Sequence, residues 1–173
     1  NKVLGVGSPT VGLVNIGSEE KKGTTMLKET YQLLKKSNLN FIGNVEARDI
    51  PYGACDVLVC DGFVGNTLLK LTEGLSAKMM DILKDMLTAS AVSKIGAVML
   101  SGQLKELKKA FDYSEYGGAP ILGVRGPVIK IHGSSGANAV KNAIIKGIPY
   151  VENNVVGIIR DSVIELEEIT ISE

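Results

Sequence analysis

Four polar segments carry most of the side chains able to do chemistry in this sequence of 173 residues: Asn15–Gly23, Gly43–Glu46, Asp61–Asn66 and His132–Ser135. In Asp61-Gly-Phe-Val-Gly-Asn66, two glycines and an Asn stand just before a helical pattern. Backbone N–H groups there can approach a ligand with no Cβ in the way, and a helix N-terminus favours an anion, so a phosphate would suit Asp61, Gly62, Gly65 and Asn66. The plainer reading is a strand-to-helix turn with Asn66 as its N-cap. Lys21 or Lys22 could supply the positive charge an anionic substrate needs, although two Lys beside Glu19 and Glu20 also describe a solvated face. His132 is the only His and precedes Ser134 and Ser135. A base beside a serine nucleophile is conceivable, but adjacent residues in a turn rarely align for that, and either serine would cap the next helix. A positioning role is the better expectation for His132.

Other chemistries find no residues. There is no phosphate-binding loop of the Walker type, Pro9 spoils Gly5-x-Gly7 as a dinucleotide fingerprint, and one His with two Cys cannot build a zinc site. No Asp/Glu cluster asks for magnesium. Neither a metal nor a cofactor is expected.

The elements that must hold these segments follow from hydropathy patterning. Strands are expected at Val11–Ile16, Asn40–Val45 and Asp56–Cys60, the last a β-branched run suited to a sheet buried on both faces. Helices are expected around Met26–Leu34, from Asn66 to about Thr88, and across Val92–Phe111 with interruptions at Gly96 and Gly102. Short strands at Ile121–Val124 and Pro127–Ile131, then helices at Ala137–Lys146 and Val151–Leu166, complete the pass. Alternating strands and helices predict an α/β fold, a layered and mostly parallel sheet with helices on both faces, because parallel strands need crossover helices. In such sheets ligands bind beyond the carboxyl ends of the strands, where the four polar segments fall. Residues 1–173 read as a single α/β region.

Composition narrows the partners. A hydrophobic fraction of 45% with 22% charged residues is enough for a real core. Lys plus Arg and Asp plus Glu both number 19, so no global field attracts nucleic acid, and none is expected as a partner. Two cysteines are too few for a disulfide framework, and no apolar run is long enough to span a membrane, which points to the cytoplasm. The start at Asn1 rather than Met suggests a piece of a longer chain.

Five segments in order, Val11–Gly17, Phe41–Glu46, Cys60–Asn66, Tyr113–Pro120 and His132–Ser135, resemble the bacterial phosphate acyltransferase family, over nearly the whole chain but only the C-terminal half of the family's usual length. The resemblance implies a fold related to isopropylmalate dehydrogenases and phosphotransacetylases, and a homodimer. It also implies a reaction in which acyl carrier protein thioester and inorganic phosphate give acyl phosphate, which a membrane glycerol-phosphate acyltransferase then uses. Phosphate is itself the nucleophile in that reaction. On that resemblance Lys21 and Asn66 belong at the reacting centre, Asp61, Gly62 and Gly65 shape the cradle, and Asn44, Glu46, His132, Ser134 and Ser135 form its wall. Gly136 stands where the family carries a polar residue, which affects the capping of the following helix.

The stretch from 89 to 111 carries Val92, Ile95, Met99 and Leu104 among Lys residues. It resembles the family's projecting helical hairpin, and an apolar stripe with local positive charge suits peripheral membrane contact. A dimer interface, or recognition of the acidic carrier protein by the same lysines, fits the pattern as well. Two other activities compete: another enzyme of the same fold, such as a short-chain phosphotransacetylase or a metal- and NAD-dependent hydroxyacid dehydrogenase, and a non-catalytic scaffold recruiting a membrane acyltransferase. The dehydrogenase would require the missing Asp cluster.

Overall fold

The computed structural model describes residues 5–111, 118–133 and 135–171, with the side chains of 108 and 165–171 left aside. The chain divides into two compact units, one of residues 6–82 and one formed mainly by residues 83–173.

The first unit is built on a parallel sheet of three strands, β1 (Thr10–Asn15), β2 (Asn40–Glu46) and β3 (Val57–Val59), in the order β2-β1-β3. Helix α1 (Thr25–Lys36) crosses from β1 to β2, and α2 (Gly62–Thr88) leaves β3. Central β1 is the strand buried from Val11 to Asn15, with Leu13 only 1% exposed. β3, expected from its β-branched run to be the doubly buried strand, lies at the edge of this sheet and is half-buried to exposed. Its composition is apolar enough for the centre, but burial follows the place in the sheet, and β3 pairs with β1 alone among the described strands.

One aromatic contact holds α1 on the sheet, and a cap closes each end of the helix. Tyr31 meets Phe41 of β2 edge to face, with ring centroids 5.1 Å apart at 76°. Thr24 caps the helix, its Oγ1 accepting from Leu27 N at 3.4 Å, and Ser37 closes the other end. β2 holds one residue more than β1 across their pairing: Val11 faces Phe41 and Gly12 faces Gly43, so Ile42 is a bulge. Gly43 takes φ +102°, which a side-chain-bearing residue rarely adopts.

Helix α2 starts one turn earlier than the apolar periodicity indicates. Asp61 Oδ1 accepts from Val64 N at 2.8 Å and caps the helix, so Asn66 lies inside its second turn and is not the N-cap. No residue of α2 is buried, and Leu69, Leu71, Leu75, Met79 and Met86 are all exposed.

The second unit contains α3 (Ala91–Met99), α4 (Ser101–Ala110), β4 (Ala119–Ile121), β5 (Val128–Lys130), α5 (Ala137–Glu152) and α6 (Val155–Ile171). β4 and β5 pair antiparallel, against the expectation of a mostly parallel sheet. The connection between them, 122–127, is too short for the crossover that parallel pairing requires. The helix expected across 92–111 is two helices, and it breaks at Leu100 rather than at Gly96 or Gly102. Val92, Ile95 and Met99 therefore share α3, where they are 79%, 64% and 79% exposed, while half-buried Leu104 belongs to α4.

Helix α5 runs to Glu152, past the expected end at Lys146, and α6 begins only after Asn154, whose φ of +49° turns the chain. Gly136 occupies the N-cap of α5 with no side-chain hydrogen bond, so Ser135 does not cap it. Ser135 N instead donates to His132 O at 3.0 Å in the preceding turn. Among the described residues of this unit, Ala139, Ala143, Tyr150 and Gly157 are buried, and the Tyr150 hydroxyl finds no hydrogen-bond partner there.

Candidate active site at the carboxyl edge of the parallel sheet

Parallel pairing sends the segments after β1, β2 and β3 out of the same sheet edge. Asn15 is level with Glu46, and Leu13 is level with both Asn44 and Val59. Asp61 stands two residues past Val59, as Asn15 stands two past Leu13. Three of the four polar segments thus meet at one edge, as their placement after strands predicts.

Asn15 ends β1 and is 6% exposed, the one polar residue in the core of the described chain. Its Nδ2 donates to Lys22 O and to Asn44 Oδ1, both at 3.1 Å, while its Oδ1 accepts from Ile16 N at 2.8 Å. Asn44 Nδ2 donates in turn to Glu19 O at 2.8 Å, and Lys22 N donates to the same carbonyl at 3.1 Å. Gly23 follows with φ +87°, and a Cβ there would stand 2.5 Å from Asn15 Oδ1. The loop after β1 is therefore drawn onto the strand ends by two asparagine side chains. Neither Asn15 nor Gly23 stood out as a site residue in the sequence; a lone amide closing an otherwise apolar buried run was the available signal.

The charged groups of this loop divide sharply. Lys22 pairs with Glu19 at 3.8 Å. Glu20 accepts from Gln32 Nε2 at 2.6 Å and from Lys35 Nζ at 3.2 Å on α1, and these two hydrogen bonds hold its carboxyl below the ordinary glutamate range. Lys21 is exposed and makes no hydrogen bond or ion pair among the described residues. Of the two lysines, Lys22 forms the ion pair with Glu19, while exposed Lys21 acts on Glu20 through its charge alone.

A similar division holds after β3. Asp61 is engaged in capping α2, and a Cβ on Gly65 would lie 2.9 Å from Cys60 Sγ, so Gly65 permits the close turn of helix onto strand. A Cβ on Gly62 would meet nothing. Asn66 is exposed, and its amide has no partner among the described residues. Of the wall residues, Asn44 serves the loop and Glu46 pairs with Arg48 at 3.3 Å. His132 and Ser135 belong to the second unit, just past β5, and Ser134 lies outside the described residues. No group of three or more His, Cys, Asp or Glu able to hold a metal occurs among the described residues. No described helix is long and apolar enough to cross a membrane.

The first unit is thus of the parallel α/β class, in which the carboxyl edge of the sheet and a helix start beside it are where ligands and anions generally bind. The profile of the family described as fatty acid synthesis protein matches residues 1–157, and the chain belongs to that family. Its relatives include a phosphate acyltransferase of Clostridium acetobutylicum, 56% identical over 154 residues, covering 89% of this chain and 46% of the relative. Another, from Brevibacillus brevis, is 53% identical over 93% of this chain and 48% of its own length. A third, from Caldicellulosiruptor saccharolyticus, is 50% identical over 98% of this chain and 51% of its own. The chain spans about half the length of these relatives.

Proposed function

We propose that this chain carries the anion-handling part of an acyltransferase that moves a fatty acyl group from the thioester of acyl carrier protein to inorganic phosphate. A phosphate oxygen attacks the thioester carbon, the carbon–sulfur bond breaks, and acyl phosphate leaves with the carrier thiolate taking up a proton. The observation that carries this reading is the placement of Lys21 and Asn66, whose side chains make no hydrogen bond or ion pair among the described residues, in the segments that follow neighbouring strands at the carboxyl edge. Family membership and relatives named phosphate acyltransferase support it.

Phosphate brings its own nucleophilic oxygen, so the site needs no serine or cysteine. It needs the anionic phosphate and the electrophilic thioester carbonyl held together and positive charge placed where the oxyanion develops. The Lys21 ammonium offsets the phosphate charge, and the Asn66 amide donates to the phosphate or to the carbonyl oxygen becoming an oxyanion. Asp61 sets the first turn of α2, and with it the position of Asn66.

The reading extends to partners. An acidic carrier protein suits lysine-bearing surfaces, and the product suits a membrane glycerol-phosphate acyltransferase. The exposed apolar residues of α3, Val92, Ile95, Val98 and Met99, with Lys94 among them, favour a peripheral membrane contact or the contact between copies in a homodimer. Flotation with anionic vesicles separates these, since Ile95→Asp abolishes flotation in the first case and shifts the oligomeric state in the second.

The deciding experiment is hydroxylamine trapping of acyl phosphate from long-chain acyl carrier protein and phosphate. It compares the 173-residue chain, a protein of the relatives' full length carrying this sequence, and the Asn66→Ala variant of that protein. Product that falls about a hundredfold in the variant, ~2.7 kcal/mol of transition-state stabilisation, supports reaction and site together. Absence of product from the full-length protein removes the transfer reaction and favours a scaffold. A preference for acetyl thioesters favours a short-chain phosphotransacetylase.

A further inference from the structure

We infer that Asn15 is a positioning residue of this site, whose buried amide holds the loop 16–23 in the one arrangement that presents Lys21 at the sheet edge. The inference rests on the function proposed above for Lys21, but the structural half of it stands on geometry alone. Asn15 lies at the last position of the most buried strand, so its own place is fixed by Leu13 and Val14 packing behind it. From there its amide reaches the backbone at both ends of the loop, accepting from Ile16 N and donating to Lys22 O. A loop held at its first and seventh residues by one rigid side chain loses most of its freedom between them.

Asn44 supplies the third hold. It accepts from Asn15 and donates to Glu19 O, so the two amides form a chain that grips the loop at Ile16, Glu19 and Lys22. Lys21 follows Glu19 by two residues and precedes Lys22 by one, so its backbone is bracketed by gripped carbonyls while its side chain makes no bond. Gly23 closes the device: only a residue without Cβ accepts its positive φ and its closeness to the Asn15 amide. A buried amide making three bonds to its surroundings is costly to replace, because a lost partner leaves a buried polar group unsatisfied. Asp at this position cannot serve, since an ionised carboxylate accepts but does not donate to Lys22 O or Asn44 Oδ1.

The test takes the protein of full relatives' length and its Asn15→Asp and Asn44→Asp variants. Amide hydrogen exchange of residues 16–23 is read beside acyl phosphate formation. The inference expects faster exchange across the loop in Asn15→Asp, unchanged exchange in α2, and kcat lower by about a hundredfold with the KM for acyl carrier protein unchanged, as displacement of a reacting group by about 1 Å produces. Asn44→Asp removes one hold, keeps the acceptor for Asn15, and is expected to show a smaller loss of both kinds. It also serves if Asn15→Asp does not fold. Unchanged loop exchange in both variants overturns the inference whatever the activity. A loosened loop with intact kcat overturns the positioning role. Should the wild-type protein form no acyl phosphate, the transfer reaction fails, while the exchange measurement still decides whether Asn15 governs the loop.

Discussion

Asp56 and Thr10 bind each other reciprocally at the amino end of the sheet. Asp56 Oδ2 accepts from Thr10 N at 2.8 Å and from its hydroxyl at 2.7 Å, while Asp56 N donates to the Thr10 Oγ1 at 2.9 Å. The hydrogen bonds from the Thr10 backbone and then its hydroxyl hold the Asp56 carboxyl below the ordinary aspartate range. A carboxyl depressed in the folded state stabilises above its unfolded pKa, and that contribution disappears as pH falls through the folded value. Urea midpoints of wild type and Asp56→Asn are therefore expected to differ at pH 7 and to draw together as pH falls below the ordinary aspartate range. A gap that does not shrink as pH falls would mean that the carboxylate charge is not the source.

Lys21 and Lys22 are chemically alike and structurally opposite. Lys21→Ala is expected to reduce kcat/KM for acyl phosphate formation by about a hundredfold or more, equivalent to ~2.7 kcal/mol. Lys22→Ala removes an exposed ion pair with Glu19 and is expected to cost only a few-fold. Equal losses in the two variants would show that the loop supplies diffuse charge instead of one placed cation.

At Gly23 the backbone and the site make the same demand. Gly23→Ala is expected to destabilise the protein by about 1 to 2 kcal/mol, since the left-handed region is costly for alanine and the new Cβ runs into the Asn15 amide. Thermal or urea denaturation measures this directly. A neutral outcome would place the loop in a different conformation in solution.

Tyr150 offers a change in the other direction. The residue is buried, 4% exposed, and its hydroxyl has no partner among the described residues, so Tyr150→Phe is expected to raise stability by about 1 kcal/mol. A loss instead of a gain would reveal a partner for that hydroxyl beyond the described residues.

Much of the first unit was legible because its strands are short apolar runs bounded by Gly and polar loops. Val11–Ile16 and Asn40–Val45 were placed to within a residue. Their parallel pairing followed from the intervening helix. The edge position of β3 was not legible, because the apolar content of Val57–Val59 reports a buried face and not strand order. The start of α2 was missed for a different reason: Asp61 caps the helix while Gly62 and Gly65 carry no periodic signal. Residue chemistry alone leaves Lys21 and Lys22 equivalent, and only the family resemblance selects Lys21, since spacing does not report which lysine Glu19 reaches. Asn15 is marked in the sequence only as the first residue of a polar segment, since its bonds to Ile16 and Lys22 of the backbone cannot be read from residue spacing.

The Ile42 bulge has a consequence for how this gene can drift. Side chains alternate faces along a strand, so the extra residue in β2 is what puts Val45 in the core and Asn44 beside Asn15 at the same time. Substitutions at Ile42, which is half exposed, leave that phase intact. Loss or gain of a single codon between Phe41 and Asn44 inverts it, turning the amide inward and the valine outward in one step. This short stretch should therefore vary in letters across lineages while keeping its length, and a one-residue indel here would mark a copy that has abandoned the site.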